Sequence, residues 1–104
     1  LVAGAYAGTT GITLSGASTT GQAVYDASYA MTSNAGGMTI TGVGSTAATV
    51  MTLNAAMTLN NSGSLRVYGY DAAAGSTNGI SSSGAITQNV NGGSILFKSK
   101  ISLN

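Results

Sequence analysis

A unit that recurs with a nearly constant period constrains this chain more than any other feature. Gly36-Gly37-Met38-Thr39-Ile40-Thr41-Gly42 alternates apolar and hydroxyl residues between glycines. The same style stands earlier at Thr10-Gly11-Ile12-Thr13-Leu14-Ser15-Gly16, and later at Gly63-Ser64-Leu65-Arg66-Val67-Tyr68-Gly69 and Gly93-Ser94-Ile95-Leu96-Phe97-Lys98-Ser99. The first apolar positions, Ile12, Met38, Leu65 and Ile95, are 26, 27 and 30 residues apart. Self-similarity at such a period marks a repeat architecture. One unit cannot bury its apolar face alone, and stacked neighbours build a continuous core.

Two further segments recur within each unit. Val50-Met51-Thr52-Leu53 matches the segment at Val24, 26 residues on, and Ile80 follows 30 after Val50. Met57-Thr58-Leu59-Asn60 matches Met31-Thr32-Ser33-Asn34, and Ile86-Thr87-Gln88-Asn89 follows. Gly, Thr and Ser every few residues disfavour a helix, whereas apolar residues two apart suit a half-buried strand. The spacing therefore predicts an all-β chain: a parallel β-helix (β-solenoid) of about 3.5 coils of 26–30 residues, with three short strands per coil. Its coils fall at approximately 11–36, 37–62, 63–92 and, in part, 93–104, and residues 1–9 read as the tail of a preceding turn. Parallel crossovers favour a right-handed coil. The first strand of each coil is expected to be short, followed in the first coil by a small-residue loop at Gly16–Gly21 and in the third by a bulge at Tyr70–Asn78. Flanking glycines suit corners that need φ > 0.

Stacking these coils gives inward rows of Ile12, Met38, Leu65 and Ile95; of Leu14, Ile40, Val67 and Phe97; and of Met31, Met57 and Ile86. On the second strand the inward choice is open, because Val24/Val50 and Tyr25/Met51 compete. Asn34, Asn60 and Asn89 each stand three residues after the apolar residue of the third strand, just before a corner. Stacked asparagines can hydrogen-bond along the coil axis, although asparagine is also common in turns for local reasons. Thr32, Thr58 and Thr87 form a parallel outward row.

The style of GITLSGASTTG, GGMTITGVGSTAATV and MTLNNSGSL resembles the filamentous-haemagglutinin-like exoproteins and autotransporter adhesins of Gram-negative bacteria. The resemblance implies a right-handed parallel β-helix in a secreted passenger region, displayed at the bacterial cell surface or released outside the cell. The chain contains neither that family's secretion domain nor a cell-binding motif. It begins Leu1-Val2-Ala3-Gly4, which predicts a piece processed or excised from a larger protein.

Composition narrows the chemistry. Only 5% of residues are charged and the net charge is +1, which provides no field for nucleic acid or an anionic membrane surface. No apolar run approaches the roughly 18–20 residues that span a bilayer. There is no Cys and no His, so disulfides, thiolate metal sites and the common nucleophile–base pairings are excluded. Glycoside hydrolysis needs two positioned carboxylates. The two acidic residues, Asp26 and Asp71, fall in different units and on different sides of the coil. Calcium-binding solenoids need carboxylates in successive repeats, which this chain lacks. No catalytic residue, metal site or cofactor is therefore expected.

Arg66, Tyr68 and Lys98 are expected to point outward from the first strand of the later coils. They suit either a sugar or partner contact, or simply a solvated face. An ice-binding Thr array is disfavoured because Arg66, Leu96 and Lys98 interrupt it. Asn60-Asn61-Ser62 matches a glycosylation sequon, a pattern common by chance. Two functional readings follow. In the first, the chain is a structural, non-catalytic extracellular segment of an adhesin or exoprotein, a stalk or scaffold whose expected partners are adjoining coils and a host-cell or matrix surface. In the second, it is a self-assembling subunit of an extracellular fibre or functional amyloid, built by end-to-end strand stacking.

Overall fold

The computed structural model describes residues 6–8, 11–44, 49–71 and 78–100. In chain order the strands are β1 (Tyr6–Gly8), β2 (Ile12–Ser18), β3 (Val24–Asp26), β4 (Met31–Ser33), β5 (Met38–Gly44) and β6 (Thr49–Leu53). They continue with β7 (Met57–Leu59), β8 (Leu65–Asp71), β9 (Asn78–Ser82), β10 (Ile86–Gln88) and β11 (Ile95–Lys100). Each strand pairs in parallel with the strand three places along the chain, so each coil contributes one strand to each of three sheets. The sheets run β2-β5-β8-β11, β3-β6-β9 and β1-β4-β7-β10. The chain is an all-β parallel β-helix.

The first sheet holds its register without interruption. Ile12 pairs with Met38, Met38 with Leu65 and Leu65 with Ile95, and two residues on Leu14, Ile40, Val67 and Phe97 form the next row. The same rung repeats in the backbone: the amides of Ile12, Met38 and Leu65 donate to the carbonyls of Gly37, Ser64 and Ser94 at 3.0, 2.9 and 2.9 Å. Met31, Met57 and Ile86 are paired across the third sheet. Together with Val24, Met51, Leu53 and Leu59, these side chains form or pack against one core along the coil axis, except Ile95, expected inward but 49% exposed because no described strand pairs beyond β11.

The second sheet corrects the match by residue type. Val24 pairs with Met51 rather than Val50, and Met51 with Ile80. The steps are therefore one residue longer, then one shorter, than alignment on the valines predicts. A one-residue slip turns a strand's faces over, and placing Val50 in that inward row would turn Met51 and Leu53 outward. The observed register buries Val24, Met51 and Leu53 and leaves Tyr25 exposed, which decides the inward choice. Strict alternation fails at β6, where Val50, Met51, Thr52 and Leu53 are all buried. The outward Thr52 hydroxyl is covered by a 2.5 Å hydrogen bond to Gln22 Oε1.

The first strands are longer than expected. β2, β5 and β8 each span seven residues, so Gly16, Ala17 and Ser18 extend the strand instead of opening a loop. Tyr70 and Asp71 end β8 and Asn78 begins β9, so these positions of the expected bulge are strand, and the rest of it, residues 72–77, lies outside the described residues. Gly16, Gly42 and Gly69 form an inward row in the middle of these strands. Their role is close approach, not a corner: a Cβ on Gly42 would lie 2.9 Å from Met51 Cε and 3.3 Å from Ala23 Cβ. Positive φ is confined, among the described glycines, to Gly11, Gly36 and Gly92. No helix of the described residues is long and apolar enough to cross a membrane.

Candidate functional site

Three surfaces of the solenoid carry its specific chemistry: the polar ladders at one corner, the final coil, and the outer face of the first sheet. At the corner after the third strand, Asn60 Nδ2 donates to Asn34 Oδ1 at 2.9 Å and Asn89 Nδ2 donates to Asn60 Oδ1 at 2.7 Å. The ladder therefore has a direction. In both bonds the amide of the later coil donates and the oxygen of the earlier coil accepts.

A second set of polar groups holds the same corner from within, and similarity of residue type could not reveal it. The buried Ser33 hydroxyl lies 3.1 and 3.0 Å from the carbonyls of Ala35 and Gly36. One coil on, Asn61 donates to the Ser33 carbonyl at 3.1 Å and accepts from the Gly63 amide at 2.6 Å. One coil further, Gln88 donates to the carbonyls of Gly63 at 2.8 Å and Asn61 at 3.3 Å. Ser, Asn and Gln do one job at slightly different positions, donating to backbone carbonyls at the corner, among them that of Ser33, which also accepts the Asn60 amide at 2.8 Å. The usable signal was one polar residue with hydrogen-bonding reach per corner, rather than one residue type.

The final coil presents its apolar row to solvent. Leu65 is 0% exposed, whereas Ile95 in the same row is 49% exposed. Phe97 and Ile86 are only partly buried where Val67 and Met57 are fully so. β9, β10 and β11 each end their sheet, and beyond them no strand pairs among the described residues. Stacking on the last coil would thus meet unpaired backbone groups and an apolar row together.

On the outer face of the first sheet, three rows run across the coils: Thr13, Thr39, Arg66, Leu96; Ser15, Thr41, Tyr68, Lys98; and Ala17, Val43, Tyr70, with the Lys100 backbone beside Tyr70. Arg66, Leu96 and Lys98 are exposed. The Tyr68 and Tyr70 rings are parallel within 4°, with centroids 6.3 Å apart.

The two acidic residues are not brought together. Asp26 lies in β3, at the edge of the second sheet, and Asp71 ends β8 in the first. Asp26 is 1% exposed, on the row of Leu53 and Ser82. Its Oδ1 accepts the Tyr29 amide at 2.9 Å, and its Oδ2 has no hydrogen-bond partner. No group of three or more potential metal-ligating side chains occurs among the described residues. Comparison of the chain with family models, curated proteins and solved structures returns no match.

Proposed function

We propose that this chain is a structural, non-catalytic segment of an extracellular β-solenoid, the stalk or scaffold of a bacterial surface adhesin or exoprotein. The observation that carries this reading is the contrast between Leu65, fully buried between coils, and Ile95, half exposed on the last one. A surface that each internal coil covers with the next is here left apolar and in register. Each coil templates its neighbour, and stability grows by nearest-neighbour terms along the stack. In a stalk, the function is mechanical: a stiff rod of hydroxyl-rich surface holds adhesive regions at a distance.

The same open coil supports a second reading, in which the coil that covers it belongs to another copy of the chain. The asparagine ladder favours a head-to-tail mode, since donors face one way and acceptors the other. Such a heterologous contact does not close on itself and generates filaments.

Electron microscopy and circular dichroism of the purified chain over a concentration series separate the two. A β-rich monomer at all concentrations supports the stalk, with the covering coil in the same polypeptide. Long unbranched filaments growing with concentration support the subunit reading. A β-rich particle that closes into small discrete oligomers would contradict both. Protease shaving of intact producing cells tests the location: release of peptides from this chain is expected, and full protection would overturn the surface assignment.

A further inference from the structure

We propose that the outer face of β8 and β11 is a binding strip for a linear polysaccharide carrying carboxylates. The starting observation is a change confined to one side of the sheet. Inward positions keep their character from coil to coil: Ile12-Leu14-Gly16, Met38-Ile40-Gly42, Leu65-Val67-Gly69. Outward positions read Thr13-Ser15-Ala17 and Thr39-Thr41-Val43 in the first two coils, then Arg66-Tyr68-Tyr70 in the third. Core packing does not require that change, because the core-facing half of the same strand is unaltered.

The charge distribution concentrates on the same place. The chain has three cationic residues, and all of them, Arg66, Lys98 and Lys100, lie on these two neighbouring strands. Arg66 stands opposite Thr39 and Leu96, and Lys98 opposite Tyr68, so no acidic residue adjoins either along its row. Lysines on a terminal strand can serve to discourage strand addition, but that does not explain Arg66, Tyr68 and Tyr70, which lie one strand inside.

The geometry suits a sugar chain. Residues two apart on a strand are about 6.6 Å apart, so Arg66, Tyr68 and Tyr70 span roughly 13 Å, and the next strand lies about 4.8 Å away. Aromatic faces carry negative charge density, which attracts the polarised C–H groups of a pyranose ring. An Arg fork takes a carboxylate in bidentate fashion, and Lys adds a point charge. The hydroxyls of Thr39 and Thr41 on β5 border the strip and can exchange hydrogen bonds with sugar hydroxyls. A nucleic acid is the poorer fit, because a net charge of +1 neutralises few phosphates. The strip stays open in a single chain and in a stacked one, so the proposal is independent of the scaffold reading.

Calorimetric titration of the purified chain with polygalacturonate is the direct test, with neutral dextran and oligodeoxythymidine alongside. Binding to polygalacturonate alone is expected, weakening as salt rises from about 0.05 to about 0.5 M, because exposed charges are screened. Arg66→Gln is expected to weaken binding about tenfold, as loss of one charge-assisted hydrogen-bonding group implies. Lys98→Gln should weaken it less. Tyr68→Ser, which restores the residue type of the first coil's row, should weaken it also, with the circular dichroism spectrum unchanged for all three. No binding at low salt, equal binding by all variants, equal binding of dextran, or tighter binding of the oligonucleotide would each overturn the proposal. If Tyr68→Ser loses its β spectrum, Arg66→Gln and Lys98→Gln decide the matter, since both positions are exposed.

Discussion

The middle coil and the last coil use the same rows but live in different surroundings. In the middle coil Met38, Ile40 and Met57 are sealed on both sides, and all three are 0% exposed. In the last, among the described residues, Ile95 and Phe97 have a strand neighbour on one side only and remain partly open. The residue types are interchangeable between them, so the difference is not in the strands themselves. It shows that burial in a solenoid is granted by adjacent coils, and that the same apolar pattern means core in one place and contact surface in another.

That comparison can be broken most forcefully at Leu65 and Ile95, which share a row. Truncation of a buried Leu costs about 2–5 kcal/mol through lost transfer energy and a residual cavity. Leu65→Ala is therefore expected to unfold the chain at markedly lower denaturant, whereas Ile95→Ala should cost about 1 kcal/mol or less in the isolated chain. Equilibrium denaturation followed by circular dichroism checks both. In filaments or in a longer parent, Ile95→Ala should approach the Leu65→Ala cost, which sharpens the contrast.

The glycine row gives the next largest effect. A Cβ at Gly69 would fall 2.6 Å from the Gly79 carbonyl oxygen and 2.7 Å from Ile80 Cγ1, so backbone must move. At Gly42 the nearest obstacle is Met51 Cε, the end of a flexible side chain. Overpacking costs about 1–3 kcal/mol, and Gly69→Ala is expected near the upper limit with Gly42→Ala near the lower. Equal melting temperatures for the two variants would refute the distinction between a hard and a soft wall.

The smallest contrast lies in the asparagine ladder. Asn60 bonds on both sides and Asn89 on one side only. A net hydrogen bond contributes about 0.5–1.5 kcal/mol, and these are exposed. Asn60→Ala should cost about 1 kcal/mol and Asn89→Ala about half of that, measured in the same denaturation series. Identical costs would mean that the amides act only within their own turns.

The strand content, the parallel stacking and the inward rows of the first and third sheets are legible in the sequence because their spacing is nearly constant and their residues alike. The second sheet is less so. Val24 and Val50 are the same residue type, but the pairing partner of Val24 is Met51, and Met51 and Leu53 rather than Val50 join the core cluster, although all three are buried. The inner corner set of Ser33, Asn61 and Gln88 was hidden for the related reason that its members differ in type and length. On the outer face, Tyr68 was recognisable, whereas its partnership with Tyr70 depended on β8 running through to Asp71 instead of ending in a loop.

Local chemistry therefore determined that this chain forms short strands, turns at regular intervals and must stack to bury its apolar side. Period-two alternation and regular punctuation are properties of neighbouring residues and need no tertiary information. Register in the second sheet, the use of Gly42 and Gly69 as points of close approach, and the addition of Tyr70 to the outer face of Arg66, Tyr68 and Lys98 were decided only by the tertiary structure. Each depends on which residues some 30 positions apart come to lie side by side, and the lengths of the intervening loops, absorbed differently in each coil, set that outcome.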